Sequence, residues 1–471
     1  MTWETRRHNG HYLTDEQNQA VDLAIAGNHL KIEAFAGAGK TSTLAAISEA
    51  LPGRKGLYLA FNRSLADEAA LKFPPQVDCR TAHSLAFRAL GHQYKHRLQR
   101  LTGGLLAREL RLQPLSERVS ATGLGNLILD TLTRYCHSGD KDLHPRHAPH
   151  STLNHFTREE REALVEEILP QARQAWELMI DPYASLPVTH DAYLKLWTLS
   201  RPQIDTDYLL FDEAQDANGA MLALVQQQPA QQIYVGDPWQ QIYHWRGAVN
   251  AMRQIDTEHC CRISQSFRFG QPIADMANRI LNEHLDAGVQ IRGLDTIDSQ
   301  VRPIDQPDVI LCRTNSRLIQ VLNRQLEKGL SVAIHGGCRE LLTLVKGAQA
   351  LQAGKRTYQH DLMLFENWQQ LKECAEAENS DLASLVRLIE RYGADTLIRT
   401  LEQSCDIQED QADLVLSTTH KAKGQEWSKV QLENDFREPG SESYQAEESN
   451  LLYVAATRAR HELDISRCQA I

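Results

Sequence analysis

The stretch "AFAGAGKTS" (residues 34–42) sets small residues ahead of a lysine and two hydroxyls. Without bulky side chains, successive backbone N–H groups can curl around phosphate oxygens at the start of a helix. Ala36, Gly37, Ala38, Gly39 and Ser42 would then line the phosphates. Lys40 would reach the β- and γ-phosphates, and Thr41 would ligate Mg²⁺. The strict pattern has glycine where Ala34 stands, so the match is to a relaxed phosphate loop. A second stretch, "LLFDEAQDA" (209–217), ends an apolar run in Asp212-Glu213. Asp212 supplies a carboxylate for Mg²⁺, and Glu213 one to activate or orient an attacking water. Such a pair can be incidental at a strand end; joined to the phosphate loop it points to a nucleotide hydrolase. A third stretch, "YVGDPWQQIYHWRGA" (234–248), places Gln240 a few residues past an apolar run, where a glutamine can sense a γ-phosphate. Tyr243, Trp245 and Arg246 follow. Exposed aromatic faces beside a cation make a base-stacking platform, worth ~1–3 kcal/mol per base. Core packing is the competing reading, and composition alone keeps both open.

These residues need a scaffold that presents loops at strand ends. Short apolar runs at 30–39, 56–62, 207–214, 232–237, 308–314, 414–420 and 429–435 read as strands of parallel α/β sheets, because helical patterns alternate with them. The expected organisation is two α/β lobes, each interrupted by a mainly helical insert. Residues 1–90 and 201–264 form the first lobe around an insert at 91–200. Residues 265–337 and 411–471 form the second around a reduced insert at 338–410. In "TREEREALVEEILPQARQAWELMI", Thr157 and Glu160 predict a capping box ahead of apolar residues at helical spacing. The stretch "CHSGDKDLHPRHAPHSTLNH" (136–155) carries five His and one Cys but no zinc-ligand spacing, and is expected to be a solvated loop.

The bulk numbers exclude several classes. At 471 residues, 42% apolar and 24% charged, the chain can bury more than one core and is not mainly disordered. A net charge of −11 argues against coating by nucleic acid through bulk charge, though not against a narrow basic groove. No apolar run reaches ~18 residues and the first residues lack a secretory core, so neither a membrane span nor an export signal is expected. Nine Cys without a C-x-x-C pair fit a reduced cytoplasmic chain, with Cys260-Cys261 the one close pair.

Taken in order, the motifs resemble those of superfamily 1 DNA helicases of the UvrD/Rep/PcrA group, over nearly the whole motor. "LTDEQNQAV" (13–21) is similar to the group's glutamine motif, which implies that Gln17 reads adenine; Thr14 with Gln17 also fits a helix capping box. "LAFNRS" (59–64) and "TAHSLAF" (81–87) resemble single-strand contact motifs, implying DNA contacts from Phe61, Asn62 and His83. "VGDPWQQIYHWRGA" resembles the motif that couples ATP to the strand, with Tyr243, Trp245 and Arg246 on the DNA side. "QSFRFG" (265–270) implies adenine stacking by Phe267 and a phosphate contact from Arg268. "TTHKAKGQEW" (418–427) implies Thr418 and His420 at DNA and Glu426 at the ribose. "EESNLLYVAATRARHEL" (447–463) implies that Arg458 is an arginine finger for the transferring phosphoryl.

The fold implied is a pair of RecA-like parallel-sheet lobes forming an ATP cleft. The function implied is an ATP- and Mg²⁺-dependent translocase on single-stranded DNA and at single/double-strand junctions. It would move 3′ to 5′, unwinding duplex or displacing bound protein in repair, recombination or antiviral defence, as a cytoplasmic, nucleoid-associated enzyme. Within the group, "AFAGAGKTSTL", "STTHKAKGQEW" and "EESNLLYVAATRA" resemble the F-box DNA helicase branch. The residues ahead of Leu13 are too few for an F-box, so no ubiquitin-ligase function is expected. The insert before "TTHKAKGQEW" is short for the group, and the chain stops soon after its sixth motif. Both features also suit a second reading: an ATP-binding regulatory subunit that unwinds little alone and works with a recombinase, nuclease or defence subunit.

Overall fold

The computed structural model describes residues 6–8, 10–116, 119–150, 152–243, 250–357, 359, 362–363, 365, 367–378, 381–439 and 446–471. After a small hairpin of β1 (Arg7–His8) and β2 (His11–Tyr12), the first six-stranded sheet draws its strands from the apolar runs that follow. These are β3 (Leu30–Ala34), β4 (Gly56–Ala60), β5 (Val77–Thr81), β6 (Tyr208–Phe211), β7 (Gln231–Gly236) and β8 (His259–Ile263). Their order is β5-β4-β6-β7-β3-β8, and every pairing is parallel. Every residue of β4 and β6 is buried, as expected for inner strands covered on both faces. Helix Lys40–Glu49 packs Leu44 and Ile47 into a core with Ile32, Tyr58, Leu210 and Val235. This sheet belongs to the first of two compact units, Met1–Ser264.

Between β5 and β6 the chain is mostly helical, including Ala121–His137, Arg158–Ile180 and His190–Leu199. Thr157 and Glu160 form the reciprocal capping box at the start of Arg158–Ile180. Arg97 is anchored without an acid: its buried guanidinium donates to the backbone carbonyls of Leu178, Met179, Asp181 and Leu186.

The histidine-rich stretch is only partly solvated: His144 and His150 are exposed, but the turn around His147 is buried. His147 is 4% exposed; it pairs through Nε2 with Asp140 at 2.8 Å and accepts the His144 N–H at Nδ1. Buried Lys195 donates to the Ser138 carbonyl at 2.8 Å and to that of Asp140, closing the segment over helix His190–Leu199. Pairing with Asp140, which histidine spacing does not encode, accompanies the burial of His147. Among the described residues no group of three or more His, Cys, Asp or Glu is placed to hold a metal.

The second unit, Gln265–Ile471, carries a second all-parallel sheet. It contains β9 (Gln300–Val301), β10 (Val309–Cys312), β11 (Val332–Ile334), β12 (Leu414–Thr418), β13 (Trp427–Leu432) and β14 (Ala459–Asp464), in the order β11-β12-β10-β13-β14-β9. Between β11 and β12, helices Arg339–Gln352, Trp368–Glu378, Asp381–Tyr392 and Ala394–Cys405 bury Leu341, Val345, Leu388 and Leu397 in one core with Ile310 and Leu416.

One expectation is corrected here. Cys338, at the entry to this helical segment, is disulfide-bonded to Cys405 at its exit, with the Cα atoms 5.6 Å apart. The two lie 67 residues apart in sequence, so no local cysteine motif announces the pair. The cysteines are therefore not all reduced thiols. Among the described residues, no helix is long and apolar enough to cross a membrane.

Candidate functional site

The phosphate loop leaves the carboxyl end of β3 and enters helix Lys40–Glu49 through Gly39. Gly37 and Gly39 both hold φ 72°, a left-handed backbone that is costly for any residue with a Cβ. Gly39 makes no side-chain cap to the helix. Ala36 and Ala38 are buried, while Gly37, Gly39, Lys40 and Thr41 are part-exposed and Ser42 is exposed. The loop therefore offers backbone and Lys40 rather than bulk, as phosphate binding requires.

β7 lies between β3 and β6, which brings the carboxyl ends of all three strands side by side. Asp212 follows β6 directly and is 6% exposed. Its Oδ2 accepts a 2.6 Å hydrogen bond from the buried Tyr58 hydroxyl and lies 3.5 Å from Thr41 Oγ1. Burial, and then the neighbouring Glu213, hold the Asp212 carboxyl well above the usual aspartate range. A buried, electrostatically strained carboxylate beside a hydroxyl is a hard-oxygen donor set that fits Mg²⁺, since a divalent cation would relieve that strain. Glu213 adopts the left-handed region (φ 50°), a strained setting for a side chain with a Cβ. Its Oε1 lies 3.6 Å from Lys40 Nζ. Lys40, Thr41, Asp212 and Glu213 are thus brought together.

The third stretch joins the same edge. Asp237 follows β7, is fully buried, and accepts from Gln240 Nε2 at 2.7 Å. Gln240 is itself 5% exposed and Tyr243 is half-buried. Trp245 and Arg246 lie outside the described residues.

A neighbouring part of the edge carries the expected strand-contact residues. β4 and β5 end in register at Ala60 and Thr81, so Phe61 and His83 follow neighbouring strand ends. Phe61 is 40% exposed, an open aromatic face on a surface loop. Asn62 caps helix Arg63–Lys72 by accepting from Leu65 N–H at 2.9 Å. His83 pairs with Asp191 at 2.9 Å, and His137 reaches the other oxygen of that carboxylate at 3.2 Å. The two imidazoles outweigh the burial of Asp191 and hold its carboxyl far below the usual range.

Gln17 meets the capping-box reading of its motif. Its side chain completes the capping box with Thr14 and donates to Thr43 Oγ1 at 3.0 Å, leaving it 3% exposed. The amide is committed to protein, and nothing in the geometry singles out adenine.

In the second unit Phe267 is 42% exposed, while Arg268 donates to Glu426 at 2.8 Å and to the Thr457 carbonyl at 3.1 Å. Arg458 is 1% exposed and donates to the carbonyls of Val454 and Gln425 at 2.8 and 3.2 Å. Arg268 and Glu426 are therefore paired, and Arg458 binds the carbonyl of Gln425, the residue before Glu426. Thr418 ends β12 and is buried, and His420 is half-buried in the short turn of helix that follows.

Sequence reasoning missed Tyr58, Gln215, Asp237 and Asp191. Tyr58 carried one signal, since a tyrosine in a fully apolar strand needs a partner for its hydroxyl. The others gave none: the Gln215–Asp237 bond spans 22 residues and the His83–Asp191 pair spans 108.

With this geometry in hand, comparison with known proteins decides the family. The model of the UvrD/REP helicase N-terminal domain matches residues 13–259, and that of the UvrD-like helicase C-terminal domain matches 339–470. The chain belongs to the UvrD-like helicase family. It is 33% identical, over 96% of its length, to F-box DNA helicase protein 1 of Schizosaccharomyces pombe, and 31% identical, over 95%, to F-box DNA helicase 1 of Gallus gallus. It spans 57% and 48% of those two relatives, about half their length. A shorter match, 35% identical over 18% of this chain and 13% of the relative, is to the ATP-dependent DNA helicase PcrA of Leuconostoc citreum. The UvrD-like assignment accounts for the two parallel sheets and for the resemblance read from the motifs.

Proposed function

We propose that this UvrD-like chain is an ATP-driven translocase on single-stranded DNA that acts at single/double-strand junctions. The observation that carries the reading is the convergence of Lys40, Thr41, Asp212 and Glu213 where the phosphate loop meets the carboxyl end of β6. Open phosphate-loop backbone and Lys40 would hold the β- and γ-phosphates; Thr41 and Asp212 would hold Mg²⁺. When bound, the ion neutralises charge on the phosphate oxygens. Glu213 would take a proton from the attacking water as its oxygen bonds to the γ-phosphorus and the bond to the bridging oxygen breaks. Phe61, Asn62 and His83, on the same sheet edge, are the proposed strand contacts of the first unit. Thr418, His420 and the Tyr243–Arg246 segment are their proposed counterparts.

Phe267, Glu426, Arg268 and Arg458 keep the nucleotide roles that the family resemblance assigns them, and the 3′-to-5′ direction rests on that resemblance alone. Steady-state ATP hydrolysis with and without oligo-dT tests the reading. Strong stimulation by oligo-dT and its loss in Lys40→Ala are expected; hydrolysis indifferent to single-stranded DNA would sink it. Strand displacement from 3′-tailed, 5′-tailed and blunt duplexes then tests the direction.

A further inference from the structure

We infer that Gln215 is a positioning residue: it holds the Glu213 carboxylate and ties it, through Asp237, to the segment that begins at Gln240. This rests on the hydrolytic reading proposed above and adds a residue to it. Gln215 is fully buried, and both ends of its amide are engaged. Oε1 accepts the Asp237 backbone N–H at 3.1 Å, and Nε2 donates to Glu213 Oε2 at 2.5 Å. The orientation of the amide follows from chemistry. A flipped amide would set its NH₂ against the Asp237 N–H, donor to donor, and its oxygen against the Glu213 carboxylate.

The surroundings are shaped for this amide. A Cβ on Gly236 would lie 2.3 Å from Gln215 Oε1, so the close approach needs glycine at the end of β7. Asp237 in turn accepts from Trp239 N–H at 3.1 Å and from Gln240 Nε2 at 2.7 Å. A bonded path therefore runs from Glu213 through Gln215 and Asp237 to Gln240. Any shift of the Gln240 segment displaces the Asp237 N–H, and with it the amide that aims Glu213. A purely structural role would satisfy the Asp237 N–H and nothing more.

Gln215→Glu separates the two roles. It keeps an oxygen for the Asp237 N–H but removes the donor to Glu213 and sets a second carboxylate there. Gln215→Met removes both bonds at similar volume. The full chain and both variants are compared in steady-state ATP hydrolysis with oligo-dT, in binding of a fluorescent ATP analogue, and in thermal melting, with Lys40→Ala as the inactive control. The expected result is a loss of ~10–100-fold in kcat, within the contribution of a positioned general base. The KM for ATP and the analogue affinity should stay within about threefold, since ground-state binding is untouched.

In Gln215→Glu the acid limb of the rate profile should also move to higher pH, because the paired carboxylates share a proton. Gln215→Met combined with Gln240→Ala should lose no more than the worse single variant. Wild-type kcat in Gln215→Glu would overturn the proposal. So would an unshifted pH profile, or fully multiplicative losses in the double variant. Should Gln215→Met fail to fold, Gln215→Glu alone decides. A wild-type chain that hydrolyses no ATP would instead overturn the hydrolytic reading itself, which separates the two failures.

Discussion

Tyr58→Phe tests the metal-binding arm of the site through one oxygen atom. The ring packs against Phe73 with centroids 4.8 Å apart, and that contact survives the substitution. What disappears is the 2.6 Å hydrogen bond to Asp212 Oδ2, a length typical of an O–H donor on a carboxylate. Hydrogen bonds to charged groups contribute about 1.5–3 kcal/mol. At about 1.4 kcal/mol per pKa unit, losing one raises the carboxyl by roughly one to two units. The neutral acid also loses a weaker bond, so about one unit is the working figure.

Asp212 already sits above the usual aspartate range through burial and Glu213. A further rise lowers the ionised fraction at any mildly acidic pH, and only the ionised form holds Mg²⁺ well. The acid limb of kcat/KM, which reports the free enzyme, should therefore move about one unit to higher pH. Above pH ~8 the variant should fall within about threefold of wild type, because Asp212 is then ionised in both. Raising Mg²⁺ should pull both limbs back to lower pH, since metal competes with the proton. The assay is ATP hydrolysis with oligo-dT between about pH 5.5 and 9 at two Mg²⁺ concentrations. Superimposable limbs in wild type and variant would refute the argument that Tyr58 tunes Asp212.

Asp212→Asn should abolish turnover yet stabilise the chain in Mg²⁺-free buffer. The folded state binds a proton that the unfolded state releases, so stability falls as pH rises from the ordinary aspartate range through the raised folded value. The variant should melt a few degrees above wild type at pH 8, at roughly 2–4 °C per kcal/mol, with the gap closing on acidification. Phe267→Ala should leave the melting temperature unchanged, because the ring is 42% exposed, but raise the KM for ATP about tenfold if the ring stacks on adenine. Cys338→Ser should lower stability in oxidising buffer by at most about 4 kcal/mol, the loop-closure value for the 67-residue separation. Melting with and without dithiothreitol measures it, and wild type in reductant should match the variant.

Most inner strands were legible in the sequence because strands covered on both faces are rich in apolar residues. β4 and β6 show this directly, and β3, β7, β10, β12 and β13 also fall on runs read as strands. The strands that escaped notice are mostly at the edges. β5 (VDCRT) and β8 (HCCRI) flank the first sheet, and β9 and β11 flank the second. β5, β8 and β9 mix polar with apolar residues, which erases the continuous run, whereas β11 is apolar and buried but only three residues long. β14 escaped for another reason: "ARHELD" alternates charges with Ala459 and Leu463. The site divides the same way. Phosphate loop and acidic pair were legible because their chemistry is local, whereas Tyr58 and Asp191 act on partners that only folding brings near, and Gln215 reaches its neighbour Glu213 in an orientation fixed by the distant Asp237. The disulfide was hidden by the same logic of distance.

The structure also changes how the motif residues must work. Several side chains expected to meet nucleotide already hold protein partners: Lys40 lies beside Glu213, Gln17 bonds Thr43, Gln240 bonds Asp237, and Arg458 donates to two carbonyls. Binding in this proposal is therefore an exchange of partners rather than the filling of a ready-made set. Each exchange surrenders a bond, so ground-state affinity for ATP stays modest. The gain is concentrated where charge develops during transfer, which is where binding energy raises kcat. Gln240 illustrates the consequence. Its amide donates to Asp237, and Asp237 is the residue whose N–H aims Gln215. Engaging the phosphate through Gln240 would thus disturb the group that positions Glu213, and the two events become linked by bonded geometry. The sequence reads Gln240 as a sensor of the γ-phosphate; the bonds around Asp237 also tie it to the amide beside Glu213.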